Sequence, residues 1–326
     1  MSSPDLSVIV ASHNRGDLLL RCLGSLAEQS AAPGSFEVIV ADDGSEDDTA
    51  ATAEAVDAPY PLRVLRLPKS GHGAAQNAAL EQARAPRCLL LDDDMIASPE
   101  LVEAHIAAAD ADPPAIGVGA ITQHQVADET WFAETYARGW AAHYADLAER
   151  EARWNDCYGA NLSFPTDAAR GIGWVSTDIP QAKDFDLALR LIRAGCKPLF
   201  LPRAHAVHDD RMKGSGKIMA SVRKAGKMHV ELSRRFPEFA PELLNWKGIA
   251  GPKLLAARRL ALALRLPPAR LIRLGRFLPG PDRKMIWFHF CGRLSFWRGV
   301  HDEVGPETWR ALTEGRVEEA VAAGLR

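Results

Sequence analysis

Through the first 110 residues the hydrophobic pattern switches repeatedly between two periods. Leu6–Ala11, Phe36–Ala41 and Leu62–Leu67 are short β-branched or leucine-rich runs that predict strands, and Arg87–Leu91 predicts a fourth, buried one. Between the first two, Leu18–Ala27 carries apolar residues at helical spacing behind Asn14 as a candidate cap. The Ser70–Gly73 loop opens an alanine-rich helix running to about Arg84. Ser98-Pro99-Glu100 then supplies a capping residue, a first-turn proline and a dipole-favoured acid for the next helix. Strands alternating with helices imply βαβ units, so the expected fold class is α/β with a mostly parallel central sheet.

Downstream the pattern is less regular. Trp131–Trp154 is aromatic-rich and predicts a helix, and Tyr158–Phe164 predicts a strand with small residues at one end. Asp184–Arg193 has Phe185, Leu187, Leu189 and Ile192 at helical spacing and is closed by Gly195. Lys197–Leu201 predicts a last strand leading to His205 and His208. Asp209–Lys217 sets Gly214 and Gly216 among charged residues, a loop composition.

Open α/β sheets bind ligands beyond the carboxyl ends of their strands. Three polar clusters sit at such ends, Ser12-His13-Asn14, Asp42-Asp43-Gly44-Ser45 and Asp92-Asp93-Asp94, and together they predict one site. Three adjacent carboxylates repel one another, and a hard divalent cation relieves that repulsion. Mg2+ is commonly held by one or two carboxylates plus substrate phosphates. In extended backbone alternate side chains share a direction, so Asp92 and Asp94 face one site and Asp93 another; a solvated turn also fits the triplet. Asp42 and Asp43 fit either a plain Asx-turn or a carboxylate that accepts hydrogen bonds from a base or ribose. Gly71 and Gly73 let the backbone approach a phosphate at a helix start.

Charge sharpens this picture. The 326 residues contain 39 Lys and Arg against 42 Asp and Glu, for a net charge of −3. From Trp246 to Val300, however, twelve basic residues stand against one acid, Asp282, so this stretch carries +11 and the rest −14. Five scattered cysteines without a CxxC pair argue for reduced thiols rather than a disulfide framework or zinc site. A short polar Met1–Asp5 leaves no room for a signal peptide, and no apolar run has the length of a membrane span, so a cytoplasmic location is expected.

The ordered set Ser7–Asn14, Val40–Ser45, Leu90–Asp94, Gly159–Ser163 and Asp184–Arg190 resembles the family 2 glycosyltransferases of GT-A fold, over roughly residues 5 to 210. The resemblance implies transfer of a sugar from a nucleotide diphosphate sugar, with inversion and with Mg2+ or Mn2+ as cofactor. On the matching positions it places Ser12 and Asn14 beside the nucleotide and Asp42 on the base or ribose. It makes Asp92 and Asp94 the D-x-D metal and diphosphate pair, puts His208 near the metal or diphosphate, and supplies the general base from Asp184. Asp43, Gly71, Gly73 and Asp93 complete the expected donor site. Two departures stand out. Lys183 occupies a position where the family often has Glu, and the Gln-x-x-Arg-Trp signature of processive members is missing, which favours single-residue addition. Asp186 is an alternative base, and Trp131, Trp140 and Trp154 can stack on a sugar acceptor or pack as core. A sugar nucleotidyltransferase and a catalytically silent nucleotide-sugar-binding module are the competing readings.

The expected organisation is a catalytic domain over 1–235 and a helical, basic segment over 236–326. Lys253–Arg265, Leu271–Leu278 and Met285–Phe290 mix leucine and aromatics with arginine. Such a segment suits either a peripheral contact with the inner face of an anionic membrane through 246–300 or an ordinary subdomain. No motif suggests nucleic acid. The acceptor class is a glycan, a lipid-linked or a small molecule, as in cell-envelope or polysaccharide biosynthesis.

Overall fold

The computed structural model describes residues 3–123, 130–179, 182–209, 214–245 and 252–326. These divide into two compact units, Met1–His124 with Trp140–Asp210, and Gln125–Gly139 with Arg211–Arg326. The division near residue 210 assigns to the second unit a long helix that the expected 1–235 boundary gave to the first.

Eight strands build the first unit: β1 (Leu6–Ser12), β2 (Phe36–Asp43), β3 (Leu62–Leu67), β4 (Arg87–Leu91), β5 (Met95–Ala97), β6 (Ala115–Gln123), β7 (Asn161–Pro165) and β8 (Lys197–His208). They form one sheet in the order β3-β2-β1-β4-β7-β6-β8-β5. The β3-β2-β1-β4 half is parallel, and every residue of β1, β2 and β4 is buried, which is why these segments read as unbroken apolar runs. In the other half β7 is antiparallel to β4 and β6, β8 is parallel to β6, and β5 is antiparallel to β8, so the sheet is mixed but mostly parallel, as expected, with only β7 and β5 reversed.

The helices of this unit are α1 (Gly16–Ala27), α2 (Thr49–Glu54), α3 (His72–Glu81), α4 (Leu101–Ala107), the second half of α5 (Thr130–Leu147), α6 (Thr166–Gly171) and α7 (Lys183–Arg193). Two expected caps are absent. Asn14 takes a left-handed φ of 53° and hands the start of α1 to Arg15, and α4 begins at Leu101 rather than beside Ser98. Asn14 Oδ1 instead accepts from the Glu46 N–H at 2.8 Å, tying the β1 end to the β2 end.

β6 and β7 are fastened by a buried polar brace. Asn161 Nδ2 donates to the Ala120 and Ala204 carbonyls at 3.2 and 2.9 Å. Its Oδ1 lies 2.8 Å from His105 Nε2, and His105 Nδ1 lies 2.8 Å from the Ser163 hydroxyl. Burial drives the His105 pKa down to about 3, so the ring is neutral, donates to Asn161 and accepts from Ser163. Gly119 leaves the space that Asn161 fills.

The second unit is helical: the start of α5, then α8 (Ser215–Arg235), α9 (Ala240–Leu243), α10 (Pro252–Ala263), α11 (Pro268–Leu271), α12 (Pro281–Glu303), α13 (Pro306–Glu314) and α14 (Val317–Ala322). α8 and α12 cross at Gly226 and Gly299, where an added Cβ would collide with the Phe296 and Arg223 carbonyls respectively. Phe132, Met219, Ile272 and Cys291 form a separate small core. Trp131 packs against that core. No helix among the described residues is long and apolar enough to cross a membrane.

Candidate active site

Parallel pairing sets Ser12 opposite Asp42 at the ends of β1 and β2, and β5–β8 pairing sets Met95 opposite His208. The three predicted clusters therefore reach one edge of the sheet. Ser12 Oγ donates to Asp93 Oδ2 at 2.6 Å. Arg15 reaches both of the next carboxylates, with Nη1 3.2 Å from Asp93 Oδ1 and Nη2 2.7 Å from Asp94 Oδ2. His208 Nε2 lies 3.4 Å from the same Asp94 oxygen.

Asp93 and Asp94 are each only 4% exposed, and burial dominates their chemistry. It pushes the Asp93 pKa up to about 6, with Ser12 and Arg15 opposing the rise and the neighbouring carboxylates adding to it. Burial likewise raises Asp94, against the pull of His208 and Arg15. Asp94 Oδ1 is buried with no hydrogen-bond partner among the described residues. Asp92 diverges from this pair: it is 35% exposed at its side chain, with Oδ1 3.9 Å from His72 Nε2.

These positions test the donor set for a divalent cation. The described residues contain no preassembled cluster of three metal-ligating side chains. What they offer is Asp94 with its orphaned oxygen, His208 beside it and the accessible Asp92. That fits a cation that completes its shell with substrate phosphate oxygens.

The β2 end is more self-contained than its sequence implies. Asp42 accepts from the Ser45 hydroxyl and from the Ser45 N–H at 3.2 Å, so its carboxylate closes the Asx-turn. Asp43 accepts from Ser70 N at 2.7 Å and Gly71 N at 3.0 Å, with Lys69 Nζ 3.3 Å away. Burial works against the Asp43 charge, but these donors outweigh it and hold the carboxyl below its usual range. The Gly71 N–H, expected to approach a phosphate, is thus spent on Asp43. Gly71 itself sits at φ 96°, which only glycine adopts easily. Gly73 is the second residue of α3 and lines a cavity of about 180 Å3 with His72, Ser176, Thr177 and Lys183.

α7 brings the base candidates. Asp186 is fully buried and bound to Arg190 Nε at 2.7 Å and to the Ser176 hydroxyl, so it is structural. Asp184 is partly accessible and accepts from the Gly159 and Phe185 N–H groups, both at 3.1 Å. Burial raises its pKa, opposed first by the Lys183 charge. A side chain at Gly159 would press on the Asp184 Cβ at 3.2 Å, so the glycine makes room for the carboxylate. Lys183 Nζ donates to Gln76 Oε1 at 2.8 Å; burial lowers its pKa, while Asp92 and Asp184 raise it. It therefore sits within electrostatic reach of both carboxylates. Tyr158 and Phe185, neighbours of Gly159 and Asp184 in the chain, pack on each other at 5.6 Å between ring centroids, Trp140 meets Tyr158 at 4.8 Å and Trp154 meets Phe185 at 5.6 Å. His205 is held by Thr122 Oγ1 at 2.9 Å.

Sequence reasoning overlooked Arg15. The signal was there, because Arg15 directly follows Ser12-His13-Asn14 as the cation adjoining a strand-end cluster, and two buried acids downstream required one.

An α/β sheet that gathers carboxylates at its strand ends, with a further partly accessible acid at the start of α7, is the arrangement of a glycosyltransferase of GT-A fold. Residues 7–164, just under half of the chain, match the family model described as Glycosyl transferase family 2, and this region is of that family. Over 216 residues it is 28% identical to validoxylamine A glucosyltransferase of Streptomyces hygroscopicus subsp. limoneus, covering 58% of this chain. The chain spans about half the length of that relative, 48%. Among solved structures it is similar to the mannosyltransferase PcManGT from Pyrobaculum calidifontis in complex with GDP-Man and Mn2+, with a TM-score of 0.62 and 18% identity over 91% of this chain and 88% of that one. It is also similar to S. aureus TarS 1-349 in complex with UDP-GlcNAc, with a TM-score of 0.53 and 17% identity over 98% and 92%. At these identities the likeness is one of fold.

Proposed function

We propose that the protein transfers a single sugar from a nucleotide diphosphate sugar to an acceptor hydroxyl, with inversion at the anomeric carbon. The observation that carries this reading is Asp184: a partly accessible carboxylate, raised in pKa by burial and oriented by two backbone N–H groups. A base tuned toward neutrality takes a proton more effectively at physiological pH than one at its ordinary value. In the proposed step the acceptor oxygen bonds to the anomeric carbon and its proton goes to Asp184. The bond from that carbon to the diphosphate breaks, and the nucleoside diphosphate leaves with the electron pair. One base and one displacement suffice for inversion.

Asp94, His208 and Asp92 are the residues that would hold Mg2+ or Mn2+. A divalent cation, when bound, offsets charge that develops on the leaving diphosphate. Arg15 holds Asp93 and Asp94 in place, and the β1 and β2 ends position the nucleotide through Ser12, Asn14 and the Asp42–Ser45 turn. The ligands named in the complexes of the similar proteins, GDP-Man and UDP-GlcNAc, are both nucleotide diphosphate sugars. Acceptor choice covers a glycan, a lipid-linked or a small molecule, and the single-residue mode is favoured over processive synthesis. Peripheral contact through 246–300 at the inner face of a membrane, from the cytoplasm, is part of the proposal.

A silent nucleotide-sugar-binding module is favoured by one observation, the Lys183 cation next to the base. Thermal shift with UDP-, GDP- and dTDP-sugars, with and without Mg2+ or Mn2+, identifies the donor class through ligand stabilisation. Nucleoside diphosphate release then separates the readings. Metal-dependent donor binding with turnover supports the transferase, and donor binding that never releases nucleoside diphosphate with any acceptor class overturns it.

A further inference from the structure

The second unit contains a cavity of about 750 Å3, within the size range of small-ligand sites, that the transfer reaction does not use. Its walls come from α8, α10, α12 and α13, and four guanidinium groups, Arg223, Arg259, Arg265 and Arg298, line it against two carboxylates, Asp302 and Glu314. Both carboxylates are already engaged. Asp302 Oδ2 accepts from Arg223 Nε at 2.8 Å, and Glu314 accepts from Arg316 Nη2 at 2.6 Å. Among the described residues Arg259, Arg265 and Arg298 pair with no carboxylate.

Helix ends hold two of these arginines instead. Arg259 Nη2 donates to the Thr313 carbonyl at 2.7 Å, in the last turn of α13. Arg298 donates through Nη1 and Nη2 to the Leu266 and Arg265 carbonyls at 2.7 and 3.0 Å, just past α10. Carbonyl dipoles fix the direction of a guanidinium without cancelling its charge, and each keeps N–H groups for an anion. Arg265 is placed by a different device. α10 ends with Arg265 N–H on Leu262 O at 3.0 Å and Leu266 N–H on Ala261 O at 2.9 Å, a Schellman pairing whose left-handed position favours glycine. Arginine occupies it at φ 51°, so the fold accepts backbone strain and gains a charge at the cavity rim. Trp309 adds an aromatic wall, edge-on to His301 at 4.9 Å.

The outside of α10 points to where the anion comes from. This helix buries Arg258, 3% exposed, and turns Leu260 outward at 61%, with Leu264 just past its end at 60%. An arginine-lined cavity flanked by exposed leucines matches a phosphate headgroup with acyl chains beside it.

We propose that this cavity binds a phosphoester anion and that an anionic phospholipid headgroup is its favoured source. The inference does not rest on the transferase reading, because it concerns binding within the second unit alone.

The test uses the full chain with two probes at low salt. One is sedimentation with phosphatidylglycerol–phosphatidylcholine vesicles against phosphatidylcholine alone; the other is calorimetric titration with glycerol 3-phosphate. Arg259→Gln/Arg265→Gln removes two exposed charges from the cavity, and Arg270→Gln/Arg283→Gln removes two exposed charges outside it. The expected result is that the cavity pair loses about tenfold or more in affinity for phosphatidylglycerol vesicles, and the outer pair much less. Loss of glycerol 3-phosphate binding in the cavity pair alone, without vesicle binding, keeps the phosphoester site and moves its source to a soluble ligand. Absence of binding by either probe, or equal loss in both variant pairs, overturns the proposal. Thermal melting of all variants alongside wild type separates binding loss from unfolding.

Discussion

The strand ends of the first unit and the cavity of the second both crowd like charges together, and the two regions solve that problem in opposite ways. Asp93 and Asp94 are almost fully buried, so their mutual repulsion is met by Arg15, by the Ser12 hydroxyl and by pKa values displaced upward. Arg259 and Arg265 stay in water, where their repulsion is screened, and backbone carbonyls orient the guanidinium groups of Arg259 and Arg298. A buried cluster must be neutralised within the fold, and it changes protonation when its partner is lost. An exposed cluster costs little to maintain and takes its counter-charge from outside.

The comparison can be tested by substitution, beginning with the largest effect. Asp184→Asn is expected to lower transfer by roughly 10²–10⁴-fold while donor affinity stays within about twofold, since in the proposed step Asp184 takes the acceptor proton and does not bind the nucleotide. Single-turnover rates alongside donor binding check this, and unchanged turnover removes Asp184 from its role. Arg15→Ala leaves two buried carboxylates with one fewer cation and should cost on the order of 3 kcal/mol at pH 7 in urea unfolding. That loss should shrink toward pH 5 as Asp93 takes up its proton; a pH-independent loss would mean that packing, not charge, is what Arg15 supplies.

Asp93→Asn sharpens the same point with the opposite sign. The folded protein holds the Asp93 proton more tightly than the unfolded chain, with a pKa of about 6 against an ordinary 3.8. Wild-type stability therefore falls as pH rises through that window, and the full cost is present at pH 7. The asparagine variant should be more stable by roughly 2–3 kcal/mol at pH 7, at about 1.4 kcal/mol per pKa unit, and no more stable below pH 4. Denaturation curves at the two pH values decide it. The smallest effect belongs to the second unit: Leu260→Ser, on an exposed face, should change stability by no more than about 0.5 kcal/mol. Its consequence should appear in vesicle sedimentation alone, and a cooperative loss of melting temperature would show that Leu260 is packed in solution.

Much of this molecule was legible in one dimension. β1 to β4 were readable because a strand buried on both faces leaves a continuous apolar run, and the polar residues that end each run marked the binding edge. β6 was not readable. Its Ala115–Gln123 sequence is diluted by Gly117 and Gly119, and those glycines matter only because Ser163 and Asn161 from β7 fill the space beside them. β8 runs past its predicted end to His208 because it pairs with β6 and then with β5, contacts between segments far apart in the chain.

The site shows the same division. The chain by itself determined which chemistry is available: polar clusters at three strand ends with carboxylates at two of them, a histidine beyond the apolar run of the last strand, acids at the start of α7 and a basic stretch carrying +11. Those follow from residue type and local period. Tertiary structure decided how each group is used. It gave Asp42 and Asp43 to turn and loop closure and paired Asp186 with Arg190. It also left Asp184 partly accessible and set Arg15 between two buried acids. The physical reason is that an acid's role depends on its solvation and on the donors within about 3 Å of it, and folding supplies both from distant parts of the chain.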